Sequence, residues 1–159
     1  PLKRTGLGLN RFNTDLSFGE KKEDVLIGEL KKSWWKVERG TKTSVLDFRI
    51  SRQPEDKRRR VEQYYVEVKS RNDITSSTYP DTMIGANKLS EAWQKYYKEW
   101  LETLFIFCFT DWIFYHNPIK EYRVEYRKWR IDRGWIDKPK WWIFIWNEDL
   151  SRWELNYNN

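Results

Sequence analysis

The chain has 159 residues, with 30 Lys and Arg against 24 Asp and Glu, so its formal net charge is +6 at pH 7. A single Cys and a single His exclude a disulfide framework and a Cys-based zinc site, and they argue against a Ser-His-Asp triad. Aromatic residues make up 18% of the chain, which excludes a disordered protein because disordered chains lack the residues that bury most area.

The length predicts one domain spanning residues 1–159. No apolar run approaches the ~20 residues that a membrane-spanning helix needs, so we expect a soluble, intracellular protein with no membrane partner. The positive net charge favours a polyanion, such as a nucleic acid, as the partner.

The first predicted element is a helix from Glu20 to Trp34, because apolar side chains recur there at helical spacing. Glu23 lies on the apolar stripe of this helix, and Glu20 lies three residues earlier on nearly the same face. Residues 1–17 contain several Gly and Asn without sustained periodicity, which predicts a loosely ordered arm.

Two strands are predicted next, over residues 34–39 and 44–50. Alternation in the second strand places Leu46 and Phe48 on one face and Asp47 on the other. The polar segment 51–60 follows and ends in four consecutive basic residues.

A third strand is predicted over residues 61–70. Its alternation puts Glu67 and Lys69 on the same face. If this strand pairs with the preceding one, Asp47 and Glu67 occupy neighbouring positions on one face of the sheet, and a helix packed there could add Glu23.

A long helix is predicted over residues 81–102, followed by the unbroken apolar run 103–109, which is typical of a central strand buried on both faces. Further strands are predicted at 112–115, 122–126 and 141–146. The order of elements predicts an α/β fold with a mixed β-sheet flanked by helices. It ends in a Trp-rich segment of strands, residues 116–159.

Clustered carboxylates repel one another and lose hydration, so a site of this kind usually holds a divalent cation. The oxygen-only set formed by Glu23, Asp47 and Glu67 favours Mg²⁺ or Mn²⁺.

Three segments of the sequence match one known pattern: Gly19-x-x-x-Glu23, Leu46-Asp47-Phe48 and Val66-Glu67-Val68-Lys69. In these segments the chain resembles the PD-(D/E)XK, or restriction-endonuclease-like, nucleases, and within them the archaeal Holliday-junction resolvases. The resemblance covers roughly residues 19–110. It departs from the family at Leu46, where the eponymous proline would stand, and in the long segment between Asp47 and Glu67.

The resemblance implies a restriction-endonuclease-like fold and a metal-dependent endonuclease that cleaves DNA, with a preference for branched or otherwise structure-defined substrates. It implies that Asp47, Glu67 and the carbonyl of Val68 bind the metal ion, and that Glu23 completes the acidic set directly or through water. Lys69 would orient the attacking water and offset charge on the phosphate. A second metal ion is compatible with this set of ligands. If Glu23 has another role, Glu20 takes its place as the third acid.

Several cations are candidates for contacts with nucleic acid. For each of them the alternative is a solvated side chain that serves solubility. Glu67 and Lys69 have a similar alternative, because they could form an ion pair on the surface. The candidate residues are Lys57, Arg58, Arg59, Arg60, Arg71 and Lys88.

The tryptophans divide into two groups. Trp34, Trp93, Trp100 and Trp142 fall at positions phased with the core and are predicted to pack inside the protein. Some of the later ones must lie near the surface because so small a protein cannot bury every indole. A homodimer interface or stacking on unpaired bases would use such side chains.

Two other functions stay open at this point. One is a nucleic-acid-binding module on the same fold that has lost catalysis, and the other is a protein-interaction domain that uses its aromatic surface. Cleavage of DNA that depends on a divalent metal and on Lys69 separates the nuclease from both.

Overall fold

The structure is a computed structural model that describes residues 7–129 and 140–153, with side chains described for 19–128 and 141–153. Within these residues the chain forms two α-helices, α1 (Leu7–Lys32) and α2 (Ala86–Glu99). It also forms nine β-strands: β1 (Lys36–Arg39), β2 (Phe48–Arg52), β3 (Glu62–Ser70), β4 (Asp81–Gly85), β5 (Glu102–Cys108), β6 (Ile113–His116), β7 (Glu125–Trp129), β8 (Lys140–Trp146) and β9 (Ser151–Arg152).

Six of the strands form a mixed sheet in the order β1-β2-β3-β5-β6-β9. Strands β3 and β5 run parallel, with Val66 opposite Leu104, while the neighbouring pairs are antiparallel. The parallel pair is connected through α2, as a parallel connection requires a crossover. The predicted α/β fold, a mixed sheet flanked by helices, is therefore confirmed.

Both faces of this sheet are covered. On one face, Leu26 and Leu30 of α1 pack on Phe48 and Val66. On the other face, residues of α2 and β8 pack on Phe105 and Phe107 of β5. The run 103–109 is buried along its whole length, as expected for a strand with cores on both sides.

The remaining strands form a second, antiparallel sheet in the order β4-β8-β7. Ile84 of β4 and Ile143 of β8 are partners in this ladder and are both buried in the core below α2. The predicted strands at 112–115, 122–126 and 141–146 correspond to β6, β7 and β8. The rest of the Trp-rich segment, including Trp135, lies outside the described residues.

The prediction for residues 7–17 was wrong. Helix α1 begins at Leu7 and runs through this segment, while residues 1–6 lie outside the described part. Leu9, Phe12 and Leu16 continue the helical spacing backwards from Glu23. The Gly and Asn residues in this segment have a low helix propensity, which favoured the prediction of a loose arm. Extension of a helix that has already formed overrides that low propensity.

The prediction of one helix over residues 81–102 was also wrong at its start. Residues Asp81–Gly85 form β4, in which Thr82 and Ile84 alternate with less buried neighbours. These two β-branched residues gain a ladder with β8 that was not visible from the local sequence. Helix α2 then begins at Ala86, and Trp100 forms its C-cap.

The prediction that four tryptophans pack inside the protein holds for only part of the set. Trp142 is buried and Trp93 is half-buried, whereas Trp34 and Trp100 are exposed. Both exposed residues follow the last turn of a helix, at the point where the chain leaves the helical phase that predicted their burial. No helix in the described ranges is long and apolar enough to cross a membrane.

Candidate active site

Asp47 is positioned by a tight turn at the end of β1. The N–H of Gly40 donates to the Asp47 carbonyl at 2.9 Å, and the N–H of Thr41 donates to Ser44 Oγ at 2.9 Å. A Cβ at Gly40 would approach Ser44 Cβ to 2.8 Å, so only glycine fits this turn without a shift. The turn delivers Asp47 to the first position before β2.

The carboxylate of Asp47 caps the place where the β2 and β3 ladder ends. The backbone N–H of Asp47 still donates to the Val66 carbonyl at 3.0 Å. Its Oδ2 atom accepts the N–H of Val68 at 2.6 Å. Because the N–H and C=O of one strand residue point to the same side, the carbonyl of Val68 also lies on the edge of β3 that faces Asp47.

Glu67 and Lys69 lie on the face of β3 that packs towards α2, as the predicted alternation requires. Glu67 is only 5% exposed. Lys88, in the first turns of α2, donates from Nζ to Glu67 Oε2 at 2.9 Å and also to the carbonyl of Val45. We refer to Asp47, Glu67, Lys69 and Lys88 as the acidic site.

Electrostatics indicate that Asp47 and Glu67 are close enough to interact. Burial, followed by the negative charge of Asp47, raises the pKa of Glu67 to about 7. The hydrogen bond and charge of Lys88 and the charge of Lys69 act in the opposite direction. Lys88 therefore only partly compensates the negative charge of the acidic site.

Glu23 lies at the margin of this site. Its carboxylate forms an ion pair with Arg39 at 3.1 Å, and Arg39 also binds Asp24 at 2.5 Å. Burial and then the charge of Asp47 raise the pKa of Glu23, so the two acids interact at longer range. Glu20 is exposed one turn earlier on α1.

The ligands available for a metal ion are the carboxylates of Asp47 and Glu67 and the carbonyl of Val68. Among the described residues, no three His, Cys, Asp or Glu side chains are close enough together to hold a metal ion, so Glu23 does not complete a side-chain triad. Mg²⁺ is commonly held by one or two carboxylates, with water and substrate phosphate completing its shell. The carboxylates of Asp47 and Glu67 fit such an ion, because burial and then the charge of Asp47 raise the pKa of Glu67 and a cation would offset both effects.

The structure separates the predicted DNA-binding cations. Arg71 is half-buried, and its guanidinium donates to the carbonyl of Met83 at 2.5 Å, while Lys88 belongs to the acidic site. The basic residues Lys57–Arg60 are exposed, in the loop that connects the end of β2 to the start of β3. That loop lies at the end of the sheet opposite to Asp47, so these cations do not surround the acidic site.

Comparisons with known proteins agree with this architecture. No protein-family model and no curated protein matches the sequence. A structure search finds the 1.6 Å structure of Archaeoglobus fulgidus Hjc, a Holliday junction resolvase from an archaeal hyperthermophile. The match has a TM-score of 0.52 and 14% identity, and it covers 82% of this chain and 84% of that chain. The two chains share a fold.

Sequence reasoning missed two ion pairs, one within the acidic site and one at its margin: Lys88 is the partner of Glu67, and Arg39 is the partner of Glu23. Both pairs join residues that are distant in sequence and lie on different elements. No local periodicity encodes such a contact. The only available signal for Lys88 was its place near the start of a helix that must cross back over the sheet between two parallel strands.

Proposed function

We propose that this protein is a divalent-metal-dependent nuclease of the PD-(D/E)XK type that hydrolyses phosphodiester bonds in DNA. The observation that carries this proposal is the convergence of Asp47, Glu67 and Lys69 where β2 begins beside β3, on a fold shared with a Holliday junction resolvase.

Asp47 and Glu67, with the carbonyl of Val68, would hold Mg²⁺ or Mn²⁺. When bound, the ion supplies Lewis-acid polarisation of the scissile phosphate. Asp47 is fixed for this role because its Oδ2 accepts the Val68 N–H, which leaves Oδ1 available as a ligand. The acidic site thus presents a preorganised oxygen set at the end of two adjacent strands.

Lys69 and Lys88 would have separate roles. Lys69 shares the face of Glu67, so its ammonium group can orient a water molecule towards the phosphate and offset the charge that develops there. Lys88 binds Glu67 directly and is a positioning residue, which aligns this buried carboxylate and favours its ionised form.

We infer that the substrate is DNA with a branch or another local irregularity. The support is the shared fold, since the structural match is described as a Holliday junction resolvase. The net charge of +6 is consistent with a polyanionic substrate.

The test is cleavage of labelled linear, nicked, flapped and four-way DNA with Mg²⁺, with Mn²⁺ and with EDTA. We expect metal-dependent cleavage of at least one branched substrate by the wild type, and none by Asp47→Asn. Glu121→Gln, a change of an exposed acid in the segment after β6, serves as the matched control and retains cleavage. No cleavage of any substrate by the wild type would refute the proposal.

One observation favours a second candidate, a nucleic-acid-binding module without catalysis. Glu67 and Glu23 already have counter-ions within the chain, in Lys88 and Arg39, as a protein that no longer binds a metal would require. This candidate predicts salt-dependent DNA binding that is unaffected by EDTA and by Glu67→Ala.

A further inference from the structure

Two tryptophans adopt a backbone conformation that bulky residues rarely take. Trp34 has φ 66° and Trp100 has φ 56°, and they are the only non-glycine residues with positive φ in the described part of the chain. Trp100 directly follows α2, and Trp34 follows α1 after Ser33, so both stand at the C-terminal end of a helix, where glycine is the usual residue in this conformation. Their side chains are 87% and 76% exposed, respectively.

This strain is not offset by burial. A left-handed conformation at a bulky residue is costly, and such residues concentrate at functional sites. The Trp100 ring contacts only the edge of Tyr96, at 5.7 Å between centroids, among the ring contacts of the described residues. Packing therefore does not explain why tryptophan stands at either position, which indicates that the exposed indoles serve a contact with a partner.

The register of the six-stranded sheet brings both residues to the same end. Trp34 stands two residues before β1, whose Lys36 is opposite Ser51 of β2. Trp100 stands two residues before β5, whose Glu102 is opposite Tyr64 of β3. This end of the sheet therefore carries the start of β1, the end of β2 and the starts of β3 and β5.

The basic loop lies between the two tryptophans in the order of strands. It joins the end of β2 to the start of β3, where Arg52 is opposite Glu62, while β1 and β5 flank that pair. Within the described residues, Lys57, Arg59 and Arg60 form no ion pair, and only Arg58 is paired, with Asp56. We name Trp34, Trp100 and Lys57–Arg60 together the tryptophan end.

We propose that the tryptophan end binds a single-stranded or unpaired nucleic-acid segment. Exposed indoles provide faces on which bases stack, and the unpaired cations between them would contact the phosphates that join those bases. Charge complementarity selects this occupant, because a second copy of the chain would bring the same cations against each other.

This surface is separate from the acidic site. Glu62, at the start of β3, is five residues from Glu67 on the same strand, a distance of about 17 Å. The proposed contact would hold an unpaired strand away from the bond that is cut, or serve binding alone if catalysis is absent. It does not depend on the proposed nuclease activity.

The test is fluorescence anisotropy of a labelled 20-nucleotide oligothymidylate, titrated with the full chain in EDTA. We expect the double variant Trp34→Gly/Trp100→Gly to bind at least tenfold more weakly than the wild type. Glycine suits the left-handed backbone, so folding is preserved. The control Trp141→Ala removes a tryptophan that is 57% exposed on β8 and retains wild-type affinity.

A second variant tests the cations. Lys57→Ala/Arg59→Ala/Arg60→Ala should weaken binding and reduce the slope of log affinity against log salt by about 2, because each lost phosphate contact on a single strand contributes about 0.7. Asp47→Asn should bind the oligonucleotide as the wild type does, whether or not the wild type cleaves DNA.

Unchanged affinity of the tryptophan double variant would overturn the proposal. The proposal would also be overturned if sedimentation velocity showed a wild-type dimer that the double variant converts to a monomer without loss of oligonucleotide affinity. That result would assign the surface to self-association.

Discussion

At one end of the six-stranded sheet, Glu67 is 5% exposed and bound by Lys88. At the other end Trp34 is 87% exposed, and three of the four cations of the basic loop form no ion pair with any described residue. The acidic site is half-buried around the buried Glu67, and hydrogen bonds hold Asp47 and Glu67 in place before any ligand arrives. The tryptophan end is exposed and strained, so its groups are available to a partner. Preorganisation suits chemistry, whereas exposure suits binding, and this difference supports assigning the two tasks to opposite ends.

The largest effect is expected from Lys69→Ala. Removing the ammonium group that we propose acts on the scissile phosphate should lower the single-turnover rate of cleavage by about 10²- to 10³-fold, with little change in DNA affinity. Rapid-quench measurements at saturating protein separate the rate from binding. The triple variant Lys57→Ala/Arg59→Ala/Arg60→Ala should instead bind DNA more weakly with little change in the single-turnover rate. If it lost as much rate as Lys69→Ala, the two ends of the sheet would not have separate tasks.

The acidic site should make the stability of the metal-free protein depend on pH. Because the folded pKa of Glu67 is raised to about 7 from an ordinary value of 4.5, the folded state binds a proton that the unfolded state lacks between these values. Stability from Glu67 therefore rises as pH falls from about 7 to about 4.5, by up to about 3 kcal/mol. The difference in urea denaturation between wild type and Glu67→Gln, each measured in EDTA, isolates this contribution.

Lys88→Met should leave the buried carboxylate of Glu67 without its direct partner. We expect a loss of about 2 kcal/mol at pH 8, less than for a fully buried pair because the Lys88 side chain is 24% exposed. Urea denaturation in EDTA measures this loss. The double variant Lys88→Met/Glu67→Gln should recover most of it, and a single variant as stable as the wild type would show that the pair contributes nothing.

The smallest expected effect has the opposite sign, at the other end of the sheet. Trp100→Gly should stabilise the protein by about 0.5–1 kcal/mol, because glycine adopts φ 56° without strain. Trp100→Ala keeps a Cβ at this position and should not stabilise it. Thermal unfolding of the two variants gives this difference, and a glycine variant less stable than the alanine variant would contradict the strain argument.

Much of the fold was predictable because it rests on local periodicity. The alternation of Leu46, Phe48 and Ile50 matches their burial at 5%, 2% and 0% exposure. The run 103–109 forms the central strand. The strand at Asp81–Gly85 was missed, since its strand character comes from pairing with β8, some 60 residues later in the chain.

The candidate site was predictable only in part. Alternation placed Glu67 and Lys69 on one face, and pairing of neighbouring strands brought Asp47 beside them. Lys88 and Arg39 could not be predicted as their partners, because each contact depends on how a helix packs on the sheet. The exposure of Trp100 was likewise hidden, because the helical phase that predicts its burial stops one residue before it.

The most direct test of the account is an anomalous difference map from crystals of the protein with branched DNA and Mn²⁺. We expect a manganese peak within coordination distance of the Asp47 and Glu67 carboxylates, next to a DNA phosphate. The contrary result is DNA bound with no manganese at these carboxylates and with Lys88 still bonded to Glu67. That outcome would show that the acidic site is a structural ion pair and not a metal centre.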